Sequence, residues 1–442
     1  MSTRAVVIGG GVNGLVAAHM LSRSREVTVF EGEAPEDGVG WVPPQVVRAL
    51  GLKGLQVEAP DPWAVAALPQ GGRLELWRDA ARSAESIRRV SPADAQKWPP
   101  FCARMARLAR FLQKIYLEPP PDPLGMRFAL RARLLGREGL VDLMRLLPMS
   151  VAELLDEWFE NDALKGLLGV AGVMHLQQGP RSGGTAFRFL HYQVGSPAGV
   201  FLPPRSNLRE VLGKRPGLDG RAAMVVSIEV REGRVRGVVL ADGEEIEAPL
   251  VLSGAHPRRT LLELVDAAWL DPELARALRH LRDRAIAGRV SLQLDRTPGF
   301  STLVHAPSLD YLERAYDDSK YGRISQRPYL EAHCDARHRV EAHVQYVPPG
   351  TDTRTLADVV AAILSEHLGD AVISSVEVFP PHQPHQIELS LDQALWMRPL
   401  PQLAQYHTPI GGLWLCGAAM HPGGGIAGAA GYNCAKAVSR AA

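Results

Sequence analysis

The reading of this chain turns on one stretch near its start, Arg4-Ala5-Val6-Val7-Ile8-Gly9-Gly10-Gly11-Val12-Asn13-Gly14-Leu15-Val16-Ala17-Ala18. Ala5 to Ile8 form a continuous apolar run of strand length, and Leu15 to Leu21 carry helical rhythm. Between them Gly9, Gly11 and Gly14 make a GxGxxG at a strand-to-helix turn, the context that gives this motif its meaning. Gly9 permits the tight turn, Gly11 lets the main chain approach a pyrophosphate, and Gly14 lets the helix pack closely on the strand. The helix start offers unpaired N–H groups to an anion. Glu26 to Glu31 reads as a second strand, so Glu31 stands where an acid accepts hydrogen bonds from a ribose hydroxyl. This half-site fits NAD and FAD equally well.

Working outward, two short strands flank Gln70-Gly71-Gly72 between Trp63 and Trp77, and a helical block broken at Pro119-Pro120-Pro121 follows from Pro92 to Leu168. Met224 to Leu252 alternate as strands around Glu232-Gly233 and Asp242-Gly243, which predicts a β-meander. Further strands are expected at Arg289–Leu294, Glu341–Val347 and Ile373–Phe379, with a helix between Thr353 and Leu368. Near the end, Leu413 to Cys416 reads as a strand, and His421-Pro422-Gly423-Gly424-Gly425-Ile426 as a glycine-rich loop before a helix. Such a loop presents free N–H donors to an anionic or electron-rich ring edge.

The 442 residues exceed what one hydrophobic core usually supports, so two packed domains are expected. With 49 basic and 48 acidic side chains, nothing in the charge balance favours a nucleic acid partner. Cys102, Cys334, Cys416 and Cys434 show no metal-ligand spacing and read as buried thiols. His382 and His385 are three apart but lack a third ligand, so no metal is expected. No apolar run reaches the ~18 residues of a membrane span, and no signal-peptide pattern opens the chain, so the expected location is cytoplasmic. Arg127, Arg131, Arg133 and Arg137 alternate with Phe128, Leu130, Leu134 and Leu135. That basic amphipathic stretch is either a solvated face or a peripheral membrane contact.

GGGVNGLVAA at the start, paired with YHTPIGGLWLCGAAMHPGGGIAGAAGYNCA at the end, resembles the phytoene-dehydrogenase-related branch of the flavin amine-oxidase superfamily. The resemblance extends through Arg82–Asp94, Leu154–Phe159, Leu190-His191-Tyr192, Gly237–Gly243 and Ser390–Pro399. It implies a Rossmann-like, discontinuous FAD-binding domain from residues 1–60, 205–285 and 385–442. A second α+β substrate domain, with a mixed or antiparallel sheet and a helical block, would come from residues 61–204 and 286–384. Gly9, Gly11 and Gly14 would hold the FAD diphosphate, Glu31 the adenosine ribose, and the Val225 backbone the adenine. Gly417 and Pro422, Gly423, Gly424, Gly425 and Ile426 would approach the flavin pyrimidine edge.

The implied activity is oxidation of an apolar or isoprenoid-like small molecule, with hydride passing to flavin N5 and electrons onward to oxygen or a quinone. His191, Tyr192 and His421 are the candidate catalytic residues, each also readable as a core or capping residue. A redox-neutral FAD isomerase and a non-catalytic binding or escort protein are the alternatives. One departure bears on all three. Relatives carry an arginine or lysine after the ribose acid and then Gly-Gly-Arg, whereas here Glu31 runs into Gly32-Glu33-Ala34-Pro35-Glu36-Asp37-Gly38-Val39-Gly40-Trp41. Some fifteen to twenty residues also seem absent before Pro44. Losing a charge-assisted contact costs ~1.5–3 kcal/mol. That loss implies either weakened FAD binding or a site completed by another chain.

Overall fold

The structure is a computed structural model that describes residues 4–32, 40–68, 71–120, 126–382 and 386–441, without the side chains of residues 126–132, 134 and 382. Gly38, Val39 and His385, and the side chains of Arg127, Phe128, Leu130, Arg131, Leu134 and His382, thus lie outside the described residues.

Arg4–Ile8 forms β1, Val12–Leu21 forms α1 and Glu26–Phe30 forms β2. β1 lies at the centre of a five-stranded sheet in which every pairing is parallel. The order runs from Leu413–Leu415 through Leu250–Ser253, β1 and β2 to Asp219–Arg221. Val6 and Val7 are fully buried, as a strand covered on both faces requires, which is why the segment reads as an unbroken apolar run. α1 packs against the C-terminal helix Ala429–Ala441. The strands Val225–Arg231, Arg234–Leu240 and Glu245–Glu247 form the expected meander. The edge strand Asp219–Arg221 carries no apolar run and was not expected from the sequence.

A second five-stranded sheet is antiparallel, in the order Thr302–His305, Leu330–Cys334, Arg339–Gln345, Ala287–Leu294 and Ile373–His382. Val290, Leu292, Ala332, Ala342 and Val344 point to one face, where Leu356, Val360 and Leu364 of the helix Thr353–Ser365 close a core. The opposite face carries Glu331, His343 and Arg289 at facing register positions. The helical block comprises Pro92–Tyr116, Met126–Leu146, Val151–Trp158, Asp162–Val173 and Thr185–Gln193. Trp98, Phe101, Phe159, Phe189 and Phe201 form its aromatic centre. The four cysteines are free and buried. Among the described residues no helix is long and apolar enough to cross a membrane.

Candidate cofactor and active site

At the end of β1, Gly9 adopts φ +101°, a conformation that L side chains rarely take. Its N–H donates to the Phe30 carbonyl at 2.9 Å, which ties the turn to β2. A Cβ at Gly14 would collide with the Gly9 carbonyl oxygen, so only glycine lets α1 seat this close to the strand. Glu31 folds over Gly10: a Cβ there would lie 2.5 Å from the Glu31 carboxyl carbon. Acid and glycine turn therefore form one surface. A third element reaches it, because Arg209 Nε donates to the Gly10 carbonyl at 3.2 Å and its Nη2 lies 3.8 Å from Glu31 Oε2.

The opposite end of the chain arrives beside this turn. Gly254 N–H donates to the Ile8 carbonyl at 2.7 Å, and a Cβ at Gly417 would lie 2.5 Å from the Gly254 carbonyl oxygen. The exits of three parallel strands thus converge, the place where open α/β sheets bind ligands. Gly431 N–H donates to Asn13 Oδ1 at 3.3 Å and its α-carbon abuts the Asn13 carbonyl, with no room for a side chain. Pro422 to Ile426 are buried, and Gly425–Ile426 pairs in parallel with Gly40–Trp41. Gly9, Gly11, Gly14, Glu31 and Gly417 are therefore gathered at one end of one sheet, and the 422–426 loop, which leads into the helix packed on α1, lies against Trp41, His191 and Tyr192. Val225 is buried at the start of the meander.

The histidines are placed differently from one another. His191 Nε2 lies 2.7 Å from the Gly424 carbonyl oxygen and Nδ1 2.9 Å from Tyr116 Oη. A carbonyl only accepts, so Nε2 carries the proton and Nδ1 accepts from the tyrosine. His421 is fully buried, and its Nε2–H donates to the Ile115 carbonyl at 3.3 Å. Burial lowers its pKa to about 3, so the ring is neutral at physiological pH. Both rings anchor the glycine loop to the helical block. Tyr192 is different: its ring lies against Gly425, where a Cβ would be 3.1 Å away, and its hydroxyl bonds His175 Nδ1 at 3.1 Å and accepts from Arg188. Burial raises Tyr192 to about 12, with Arg188 opposing.

Three groups escaped the sequence reading. Arg398 is fully buried and donates to the carbonyls of Met420, Glu388, Gln393, Ile387 and Ala418 at 2.9–3.3 Å, bracing the loop from behind. Arg188 is also fully buried, stacked 4.0 Å over the Tyr192 ring. Glu331 is half-buried on the face of the second sheet opposite the helix Thr353–Ser365. It accepts from the Tyr329 hydroxyl and faces His343 across the sheet. Desolvation raises its pKa to about 7, with the Tyr329 hydrogen bond and Arg205 opposing. Glu331 was hidden because a polar residue alternating with Leu330 and Ala332 reads as a solvent-facing position.

A half-open cavity of about 550 Å³, lined by Gln177, Arg284, Ile286, Tyr316, Ser319, Lys320 and Pro349, touches none of the glycine residues. The glycine convergence is the stronger site, because its backbone approaches cannot be met by any other residue type. Among the described residues no group of three His, Cys, Asp or Glu is arranged to hold a metal.

No family model matches the chain. It is 28% identical to the rat pyridine nucleotide-disulfide oxidoreductase domain-containing protein 2, over 99% of this chain and 93% of that protein. It is 27% identical to hydroxyneurosporene desaturase of Rubrivivax gelatinosus, over 68% of this chain and 62% of the desaturase. The chain is thus similar in sequence to an oxidoreductase-domain protein over nearly its whole length and to a desaturase over two thirds of it. Its fold also matches that of a triple mutant of putrescine oxidase. That match has a TM-score of 0.60 at 13% identity and covers 99% of both chains. The rat alignment runs over 548 positions against 442 residues here, so the relative carries additional segments.

Proposed function

We propose that this chain is a member of the flavin amine-oxidase and phytoene-desaturase superfamily that binds FAD and uses it to oxidise an apolar or partly apolar organic substrate at carbon. The reading is supported by the meeting of the two chain ends, in which Gly9, Gly14 and Glu31 share one sheet end with Gly417, and Gly431, just after the 422–426 loop, abuts Asn13. These residues fit the cofactor. The glycine turn admits a pyrophosphate, the α1 start offers N–H donors to it, and Glu31 accepts from ribose hydroxyls. The Val225 backbone would meet the adenine, and the loop N–H groups the flavin pyrimidine edge. Residues 1–60, 205–285 and 385–442 would form the cofactor domain, with the substrate held by the rest. Bound FAD supplies a two-electron acceptor at N5, whose electrons would pass to oxygen or a quinone.

The chain's own residues divide the remaining work. His191 and Arg398 hold the loop in place, and His421 ties it to the helix Pro92–Tyr116. Tyr192 lines the reaction space beside Gly425, and the apolar interior excludes water. Among the similar proteins, hydroxyneurosporene desaturase carries the name that supports oxidation at carbon. Glu331 favours a second reading: a carboxyl that is half protonated near pH 7 suits proton exchange in a redox-neutral isomerisation.

Anaerobic mixing of the FAD-loaded protein with a panel of polyenes and terpenoid alcohols separates the readings. Bleaching of the flavin bands with formation of an oxidised product supports the oxidase or desaturase. Isomer formation without net oxidation supports the isomerase. A protein that binds FAD and does neither with any member of the panel would match an escort role.

A further inference from the structure

Glu31 opens a strongly acidic stretch. Glu33, Glu36 and Asp37 follow it, and no Lys, Arg or His occurs before Arg48. A dinucleotide diphosphate brought to the Gly9 turn would meet the Glu31 carboxylate, and the sequence from Glu31 up to Arg48 supplies no cation. The fold brings one from elsewhere. Arg209 sits in the short helix Leu208–Gly213, which is locked onto α1 by His19 Nε2 against the Leu212 carbonyl at 2.9 Å and by Leu208, fully buried beside Val16. From there the guanidinium reaches the Gly10 carbonyl at 3.2 Å and stands 3.8 Å from the Glu31 carboxylate. Its Nε is engaged by the turn, and its Nη2 faces the acid. The side chain keeps a quarter of its surface accessible, so its remaining N–H groups are open to a ligand.

We propose that Arg209 is a cofactor-binding residue, which pairs with the diphosphate of the dinucleotide whose ribose Glu31 holds. Guanidinium and carboxylate then form a clamp with one polarity at each end. The acid accepts from the ribose hydroxyls and the cation meets the phosphate oxygens, as charge-assisted bonds of this kind require. The inference rests on the FAD reading above, because it needs a dinucleotide in the turn.

The test uses the purified full-length protein stripped of flavin and titrated with FAD, ADP and adenosine. Arg209→Met is expected to raise the Kd for FAD and ADP by about 10- to 100-fold while leaving adenosine within about twofold. Arg209→Lys should recover part of the loss. The salt dependence of ADP binding should be shallower in Arg209→Met than in the wild type. Near-UV circular dichroism of the variants confirms that the fold is retained. Equal weakening of ADP and adenosine, or no weakening of either, overturns the role of Arg209 and leaves the FAD reading standing. Failure of the wild-type protein to bind FAD or ADP overturns both. Should Arg209→Met fail to fold, the Lys variant decides: ADP weakened by about 3- to 10-fold with adenosine unchanged supports a diphosphate contact made by the guanidinium. Lys leaving ADP and adenosine both at wild-type affinity, or weakening both equally, overturns it.

Discussion

The Nε2–H of His191 donates to the Gly424 carbonyl at 2.7 Å, so a helix of the α-helical block fixes the backbone of the loop that closes the cofactor site. The same ring accepts from Tyr116 at Nδ1, and Asn433 of the C-terminal helix donates to the Tyr116 carbonyl at 2.9 Å. The loop is thereby held between the chain's C-terminal helix and the helix Pro92–Tyr116. His191→Phe keeps the aromatic volume but leaves a buried carbonyl and a buried hydroxyl without this partner. The expected loss is about 1–3 kcal/mol of stability by urea denaturation, together with weaker FAD binding. An unchanged urea midpoint would show that the loop needs no such anchor.

Gly14→Ala places a methyl group against the Gly9 carbonyl oxygen, on backbone that cannot yield as a side chain would. The variant should lose roughly 1–3 kcal/mol and most of its FAD affinity, because α1 must lift away from the turn. Melting temperature and FAD titration together report this. Retention of wild-type affinity would mean that helix and turn are not as tightly joined as their geometry states.

Glu331 gives the folded protein a distinct pH response. Its folded pKa of about 7 lies above the ordinary carboxyl value, so the native state binds more protons than the unfolded state between roughly pH 4.5 and 7. Its contribution is fully present below the unfolded value and is lost as pH rises through the folded one. The slope from this group is at most about 1.4 kcal/mol per pH unit. Glu331→Gln should therefore gain stability relative to wild type as pH rises from 5 to 7.5. Parallel urea midpoints for the two proteins across that range would rule out the raised value.

His421 acts in the opposite sense. Its folded pKa is depressed to about 3, so the unfolded state binds the extra proton below the ordinary histidine value. Stability from the neutral ring is present above about pH 6.5 and is lost as the pH falls toward 3. His421→Gln, which retains a donor for the Ile115 carbonyl, should flatten the acid limb of the stability profile. An acid limb as steep as that of the wild type would assign the loss to other groups.

The parallel sheet and the cofactor half-sites were legible because backbone requirements leave marks in sequence. Only glycine fits at Gly14 against Gly9 and at Gly431 against Asn13, and a strand buried on both faces must be apolar throughout. Glu31 was expected at the end of the second strand, and it directly follows β2. Arg209, Arg398 and Glu331 left no such mark. Each acts on residues remote in sequence, through a side chain whose direction depends on tertiary packing. His191 and His421 were legible as residues near the flavin loop, but not in their roles. Which nitrogen meets which carbonyl is settled only when the helix Pro92–Tyr116 and the glycine loop are brought together.

The most direct test of the two-ended site is thermal denaturation of flavin-stripped protein with and without excess FAD. Saturable binding should raise the melting temperature, since a ligand at about 100 times its Kd adds roughly 2.7 kcal/mol. The same FAD should leave Gly14→Ala nearly unshifted. A wild-type melting temperature that does not move at saturating FAD, with no flavin bands retained after gel filtration, would contradict the account.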